Sequence, residues 1–381
     1  MKSYVARIIF ALLVLTRSSL AWPPIYGPEF TFTNGTLYAA SIGNPRAIVT
    51  EANSAARDRM AEVMIELCAR RGDCTVAATV DKYDVKTWKV SYPDGWWFQI
   101  SIDPSVVEIQ AKPVTLAEFT KYRDRIQNDI FEVAESIDLK PDKGSGGGHI
   151  HIGTQTAFEN DPKLFRNFLV DYTNHPELAF GILEEDFKNA LPFAKLSEDQ
   201  RAAFAKLIQS FDQKPVSVES LARSIETKVY RDVRKYNAVN LRRTAKYGFA
   251  RNKTVELRAI RTQLSADEYL LHLRLIEARL NYLKTLKDPV PFLNSPVPRL
   301  TGEKVNAFYR YVTESGLDWD EFKVLMPRTW QDIVPDPLIK IRPIEHPEPI
   351  DNAHGANAVN DGNRNANCLT RWLHRLLSRI P

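Results

Sequence analysis

Two histidines, two residues apart and delivered by a glycine run, are the residues of this chain best placed to do chemistry. They lie in Gly144-Ser-Gly-Gly-Gly-His149-Ile150-His151-Ile152. In an extended strand side chains alternate faces, so both imidazoles share one face while Ile150 and Ile152 take the other. Imidazoles so placed suit metal ligation, phosphate contact or proton transfer. The same pattern also makes an ordinary polar sheet face. Three other segments repeat the design: Glu29-Phe-Thr31-Phe-Thr33, Val107-Glu108-Ile-Gln110 and Thr254-Val-Glu256-Leu-Arg258. Each alternates apolar and polar residues as a strand does in an antiparallel sheet with one packed face. The polar face would then collect Glu29, Glu108, His149, His151, Glu256 and Arg258. Three carboxylates and two histidines on one face repel unless a cation neutralises them.

These segments, in this order, resemble the amidoligase family, the carboxylate–amine ligases related to glutamine synthetase and glutamate–cysteine ligase. Glu29-Phe-Thr resembles that family's first-strand Glu-x-Glu. Trp88-Lys-Val, then Asp103-Pro-Ser105 and Glu108-Ile-Gln-Ala-Lys-Pro113, resembles its Asp-x-Ser and Glu-x-x-x-x-Pro block. Gly148-His-Ile-His resembles its Gly-x-His-x-His. Tyr236-Asn-Ala-Val-Asn240 and Thr254-Val-Glu-Leu-Arg258 resemble its Arg-Tyr-x-x-x-Asn and Thr-x-Glu-x-Arg. The resemblance spans about residues 25–285. The chain departs from the pattern at Thr31, which stands for the second glutamate, at Lys235, which stands for arginine, and at Pro104, which stands for glycine.

The resemblance implies an α+β fold, a curved antiparallel sheet of the glutamine-synthetase type with helices packed on one face. It implies a ligase that joins a small-molecule or peptide carboxylate to an amine through an acyl phosphate, using ATP with Mg²⁺ or Mn²⁺. Glu29, Glu108, His149 and Glu256 would ligate the metal. His151 would touch nucleotide phosphate, and Arg258 would hold the transferring phosphoryl oxygens, a task suited to forked donors. Arg251 would join the nucleotide site. Asp103, Tyr236, Asn240 and Arg261 would line the substrate pocket. Two other readings use the same residues: a metal-dependent amide hydrolase or transferase without ATP, and a non-catalytic binding protein on a ligase scaffold.

The first 21 residues read as an address. Lys2 and Arg7 precede the apolar run Ile8–Leu15, and Ser19-Leu20-Ala21 offers small residues for cleavage. Export to a periplasm or to the outside follows, with a mature chain starting near Trp22. ATP is scarce there, which sets the ligase reading against the address. Losing Lys2, Arg7 and Arg17 lowers the formal charge from +4 to +1. A nearly neutral mature chain is no nucleic-acid binder by charge. In an oxidising compartment Cys68 and Cys74, six residues apart around Gly72, suit a local disulfide, with Cys368 left odd.

The chain has 381 residues, 44% hydrophobic and 26% charged, enough for a sizeable core. Helical spacing marks 50–71, 116–137, 161–232 and 266–286, and strands are expected at 76–80, 86–92 and 96–102. Asp161-Pro162 predicts an N-cap, and Ser197-x-x-Gln200 and Ser265-x-x-Glu268 predict capping boxes. The catalytic domain is expected over 22–287, followed by a helical and irregular extension over 288–342. Residues 343–367 are rich in Pro, Asn, Gly and Ala and read as a disordered linker. Residues 368–381 would form an amphipathic helix. Leu369, Trp372, Leu373, Leu376, Leu377 and Ile380 line one side and Arg371, His374, Arg375 and Arg379 the other. Such a helix suits a membrane surface or a partner, or docks on its own domain.

Overall fold

A computed structural model describes residues 23–37, 51–81, 84–103, 106–141, 147–158, 161–178, 190–231, 237–247 and 253–336. The expected signal peptide, linker and C-terminal helix lie outside the described residues, as do Tyr236 and Arg251. Among the described residues no helix is long and apolar enough to cross a membrane.

Among the described residues nine antiparallel strands form one open sheet: β1 (Tyr26–Thr33), β2 (Thr75–Val80), β3 (Lys86–Ser91), β4 (Trp97–Asp103), β5 (Val106–Ala111), β6 (Lys140–Pro141), β7 (Ile150–Gly153), β8 (Val239–Asn240) and β9 (Thr254–Leu257). Their order is β2-β3-β4-β5-β1-β7-β9-β8, with β6 also paired to β1. The N-terminal strand is therefore central. Its first half pairs with β7 and its second half with β5.

Alternation sorts the two faces as the sequence predicts. Phe30 and Phe32 of β1, Val107 and Ile109 of β5, Ile150 and Ile152 of β7 and Val255 and Leu257 of β9 are buried in the core. Helices cover this apolar face. Phe30 meets Phe131 edge-on at 5.3 Å and Tyr269 at 5.0 Å, and Tyr269 stacks on Phe119 at 5.0 Å. Offset and edge-on ring pairs of this kind add to what their buried area contributes. These rings come from α2 (Leu116–Ile126), the wide π turn that continues it through Phe131, and α6 (Ala266–Thr285). Helix α1 (Glu51–Arg71) buries Met60, Met64 and Cys68 in the same core. The expected Cys68–Cys74 disulfide is present and closes the turn after α1.

Three more helices, α3 (Pro162–Asn174), α4 (Glu198–Gln213) and α5 (Val218–Ile225), fill part of the stretch expected to be helical, with short 3-10 turns at Pro176–Leu178 and Phe193–Lys195. Asp161 caps α3 and Ser197 with Gln200 forms the capping box of α4, both as read from sequence. At α6 only half of the box forms. Ser265 accepts from the Glu268 backbone, whereas the Glu268 side chain accepts from Leu264 N–H and from Arg261. The segment expected as an extension contributes α7 (Thr301–Glu314), and its Val305, Phe308 and Phe322 join the main core.

Candidate metal centre

Register decides which polar residues become neighbours. Thr31 lies opposite Glu108, which lies opposite Ser101; Glu29 lies opposite Gln110. Gly27 lies opposite His151, His151 opposite Glu256, and Glu256 opposite Asn240. Paired residues in antiparallel strands share a face, so β5, β1, β7, β9 and β8 present one continuous polar surface. Glu29 and His151 are diagonal neighbours on it, close enough for side chains to meet.

They do meet. His151 Nε2 is 3.2 Å from Glu29 Oε2, and His151 Nδ1 is 3.1 Å from Thr254 Oγ1. Glu29, His151 and Glu256 each offer a ligand atom, all within 4.8 Å of one another. His149, just before β7, places Nδ1 3.5 Å from Glu29 Oε2 and 3.5 Å from Glu256 Oε1. Arg258 donates to Glu256 Oε1 at 2.5 Å, and Asn240 Nδ2 donates to Glu256 Oε2 at 2.7 Å.

The charge state fits a site prepared for a cation. Burial opposes ionisation of Glu29, but hydrogen bonds from His149 and His151 overcome it and hold the carboxyl well below its ordinary range. Glu256 is likewise lowered against its burial, by His151, Arg258 and His149. Glu108 goes the other way: burial and the Glu29 charge beside it push its carboxyl well up. Its Oε1 accepts from Gln110 Nε2 at 2.6 Å. Two carboxylates in close contact cannot both ionise cheaply, so the charge on Glu29 favours the neutral form of Glu108.

The expected site residues divide into those drawn together and those placed elsewhere. Of the four expected ligands, Glu29 and Glu256 lie at the centre, His149 lies against both, and Glu108 stands one row away. His151, expected at phosphate, completes the three-residue cluster with Glu29 and Glu256. Asn240, expected at substrate, orients Glu256. Arg258 is bonded to Glu256. Arg261, expected in the pocket, is buried, and its guanidinium bonds Glu268 through Nε at 3.0 Å and a terminal nitrogen at 2.5 Å. Asp103 ends β4 in an exposed position, and its carbonyl accepts from Asn53 Nδ2 at 3.1 Å.

Sequence reasoning missed the residues that hold the cluster in place. Thr254 fixes the His151 ring; its position two before Glu256, on the same strand face, was the available signal. Thr31 is buried, and its hydroxyl lies 2.9 Å from Thr262 Oγ1 and donates to the Gly147 carbonyl at 3.5 Å. It ties the histidine segment to the stretch after β9. The glycines serve the same closure. A Cβ on Gly148 would lie 2.1 Å from the Gln263 amide, and one on Gly147 would lie 2.7 Å from His149 Nε2. At these two positions the backbone closely approaches the protein's own side chains.

No protein-family model and no curated protein matches this chain.

Proposed function

We propose that this chain is a carboxylate–amine ligase that uses ATP and a divalent cation, built on a glutamine-synthetase-type sheet. The observation that carries the reading is the convergence of Glu29, His151 and Glu256 from three adjacent strands, with Arg258 bonded to one of them. Two carboxylates and one imidazole form a donor set that accepts Mg²⁺ and favours Mn²⁺. Glu29, His151 and Glu256 would hold the ion, with His149 as neighbour. A bound ion would supply charge neutralisation at phosphate oxygens. His151 fits the role of ligand because Thr254 already engages its other ring nitrogen, the usual arrangement behind a metal-binding imidazole. Arg258 would turn from Glu256 to the oxygens of the transferring phosphoryl group, which its planar fork suits. Asn240 keeps Glu256 in position while Arg258 moves. The substrates are a small-molecule or peptide carboxylate and an amine.

One observation supports a second reading, a metal-dependent amide hydrolase or transferase without ATP. Thr31 stands where the resemblance has a second glutamate, and its hydroxyl is engaged by Thr262 and Gly147. That leaves donors for one cation beside Glu256. Arg258→Lys separates the readings, since it keeps the charge and removes the fork. The mature protein and this variant are incubated with labelled ATP, Mg²⁺ or Mn²⁺ and mixtures of amino acids and peptides, and ADP and amide products are measured. The ligase reading expects ADP and amide in equal amounts, with the variant slower by about 10²–10³, the loss typical of one positioned charge-stabilising donor. Amide turnover without ADP, equal in both proteins, rejects it in favour of the hydrolase. No turnover of either kind leaves a binding protein.

A further inference from the structure

Leu257 alternates with Glu256 and Arg258, so it faces away from the metal cluster. On that side a pocket opens between β9, α3, α6 and α7. Phe168, Leu257, Leu275 and Leu325 make most of its wall apolar. Arg279 also lines it, but its guanidinium is bonded to Asp171 and Glu314. Two polar atoms are different. His272 Nε2 and Tyr172 Oη are buried and have no hydrogen-bond partner among the described residues, and both residues line this pocket.

The chemistry of His272 defines what it recognises. The residue is 4% exposed. Its Nδ1 lies 2.8 Å from the Glu268 carbonyl oxygen. A carbonyl only accepts, so Nδ1 carries the hydrogen and Nε2 presents a bare lone pair. Burial further disfavours the charged ring and lowers its pKa. A buried acceptor left unmade is costly, and its natural complement is a ligand that brings one donor.

We propose that this pocket binds a small apolar molecule carrying one hydroxyl group, which donates to His272 Nε2, with Tyr172 Oη as the second polar contact. The site is separate from the metal cluster and does not depend on the ligase reading. An aromatic alcohol and an aliphatic one share this chemistry, so both serve as probes. The full chain is titrated with 2-naphthol, followed by its fluorescence, and with octan-1-ol, followed by calorimetry. Their methyl ethers, 2-methoxynaphthalene and 1-methoxyoctane, match them in shape without the donor. At least one alcohol should bind about five-fold or more tightly than its ether, the scale of one buried hydrogen bond. Which alcohol binds identifies a ring or a chain as the preferred body. His272→Phe keeps a planar ring and removes the acceptor, and should erase the preference for alcohol over ether. In protein carrying ¹⁵N-histidine, the wild-type His272 Nε2 resonance should move as the alcohol is added, a readout that needs no variant. The proposal is overturned if neither alcohol binds, if alcohol and ether bind equally, or if the His272 resonance stays fixed on saturation.

Discussion

Replacing Glu256 by Gln tests the metal centre where its contacts are best defined. In the wild type, Oε1 accepts from Arg258 and Oε2 from Asn240, and His149 and His151 lie beside the carboxylate. Gln can keep the Asn240 bond by presenting its oxygen there. Its amide then faces Arg258, donor against donor. The two side chains are 17% and 8% exposed, so little water relieves the clash. The lost partner should cost the metal-free protein about 1–3 kcal/mol. The decisive quantity is therefore the change in Tm on adding metal, taken separately for each protein. Mn²⁺ at about 100 times its Kd stabilises a one-site protein by about 2.7 kcal/mol. For a chain of this size that is a rise of about 3–4 °C. Glu256→Gln removes one of two anionic ligands and should reduce the rise to about 1 °C or less. His149→Ala should reduce it too. The assay is thermal unfolding of metal-stripped protein with and without Mn²⁺, read by intrinsic fluorescence. If both variants keep the full rise, the ion binds elsewhere and the metal centre is wrong.

Other outcomes follow from single contacts. Asn240→Ala leaves every expected ligand in place but releases Glu256, and should weaken Mn²⁺ by about 10–100-fold by calorimetry; an unchanged Kd would remove Asn240 from the site. The Cys68–Cys74 bridge spans six residues, so replacing both cysteines by Ala should cost about 2 kcal/mol by loop entropy, seen as a lower urea midpoint; an unchanged midpoint counts against that bridge. His175 is buried, which works against its charge, but Glu177 and Asp171 outweigh this and raise it above its ordinary 6.5. Its contribution is then full below about pH 6.5 and fades as pH rises through the folded value. His175→Gln should thus lower Tm more at about pH 5.5 than at about pH 9, and a constant difference would refute the assignment. Gly148→Ala drives a methyl group into the buried Gln263 amide and should destabilise by about 1–3 kcal/mol in a chemical melt; a neutral result would mean that this loop yields readily.

Short-range chemistry was legible in the chain itself. Alternation placed Glu29, Glu108, His151 and Glu256 on polar strand faces, because a strand with one buried face cannot hide its period of two. Asp161 and Ser197 marked helix starts because a cap is satisfied by amides two or three residues away. The cysteine pair was readable for the same reason, its partners being six residues apart. What lay beyond reach was the choice among distant partners. Strand order sets β1 between β5 and β7, and only that order brings Glu29 to His151, 122 residues away. Thr31 could be read as a missing ligand, but whether it was idle or engaged depended on Thr262, 231 residues on. The bond of Arg261 to Glu268 could not be read from the chain, since packing alone set the two against each other. Glu268 in turn was read as half of a capping box until the same packing drew its side chain to Arg261. Glu108 and Glu256 look alike as letters, yet one is pushed toward its neutral form and the other held ionised, because a charge responds to whatever the fold places beside it. Residue type and period are properties of the chain, whereas partner, burial and protonation belong to the space around it.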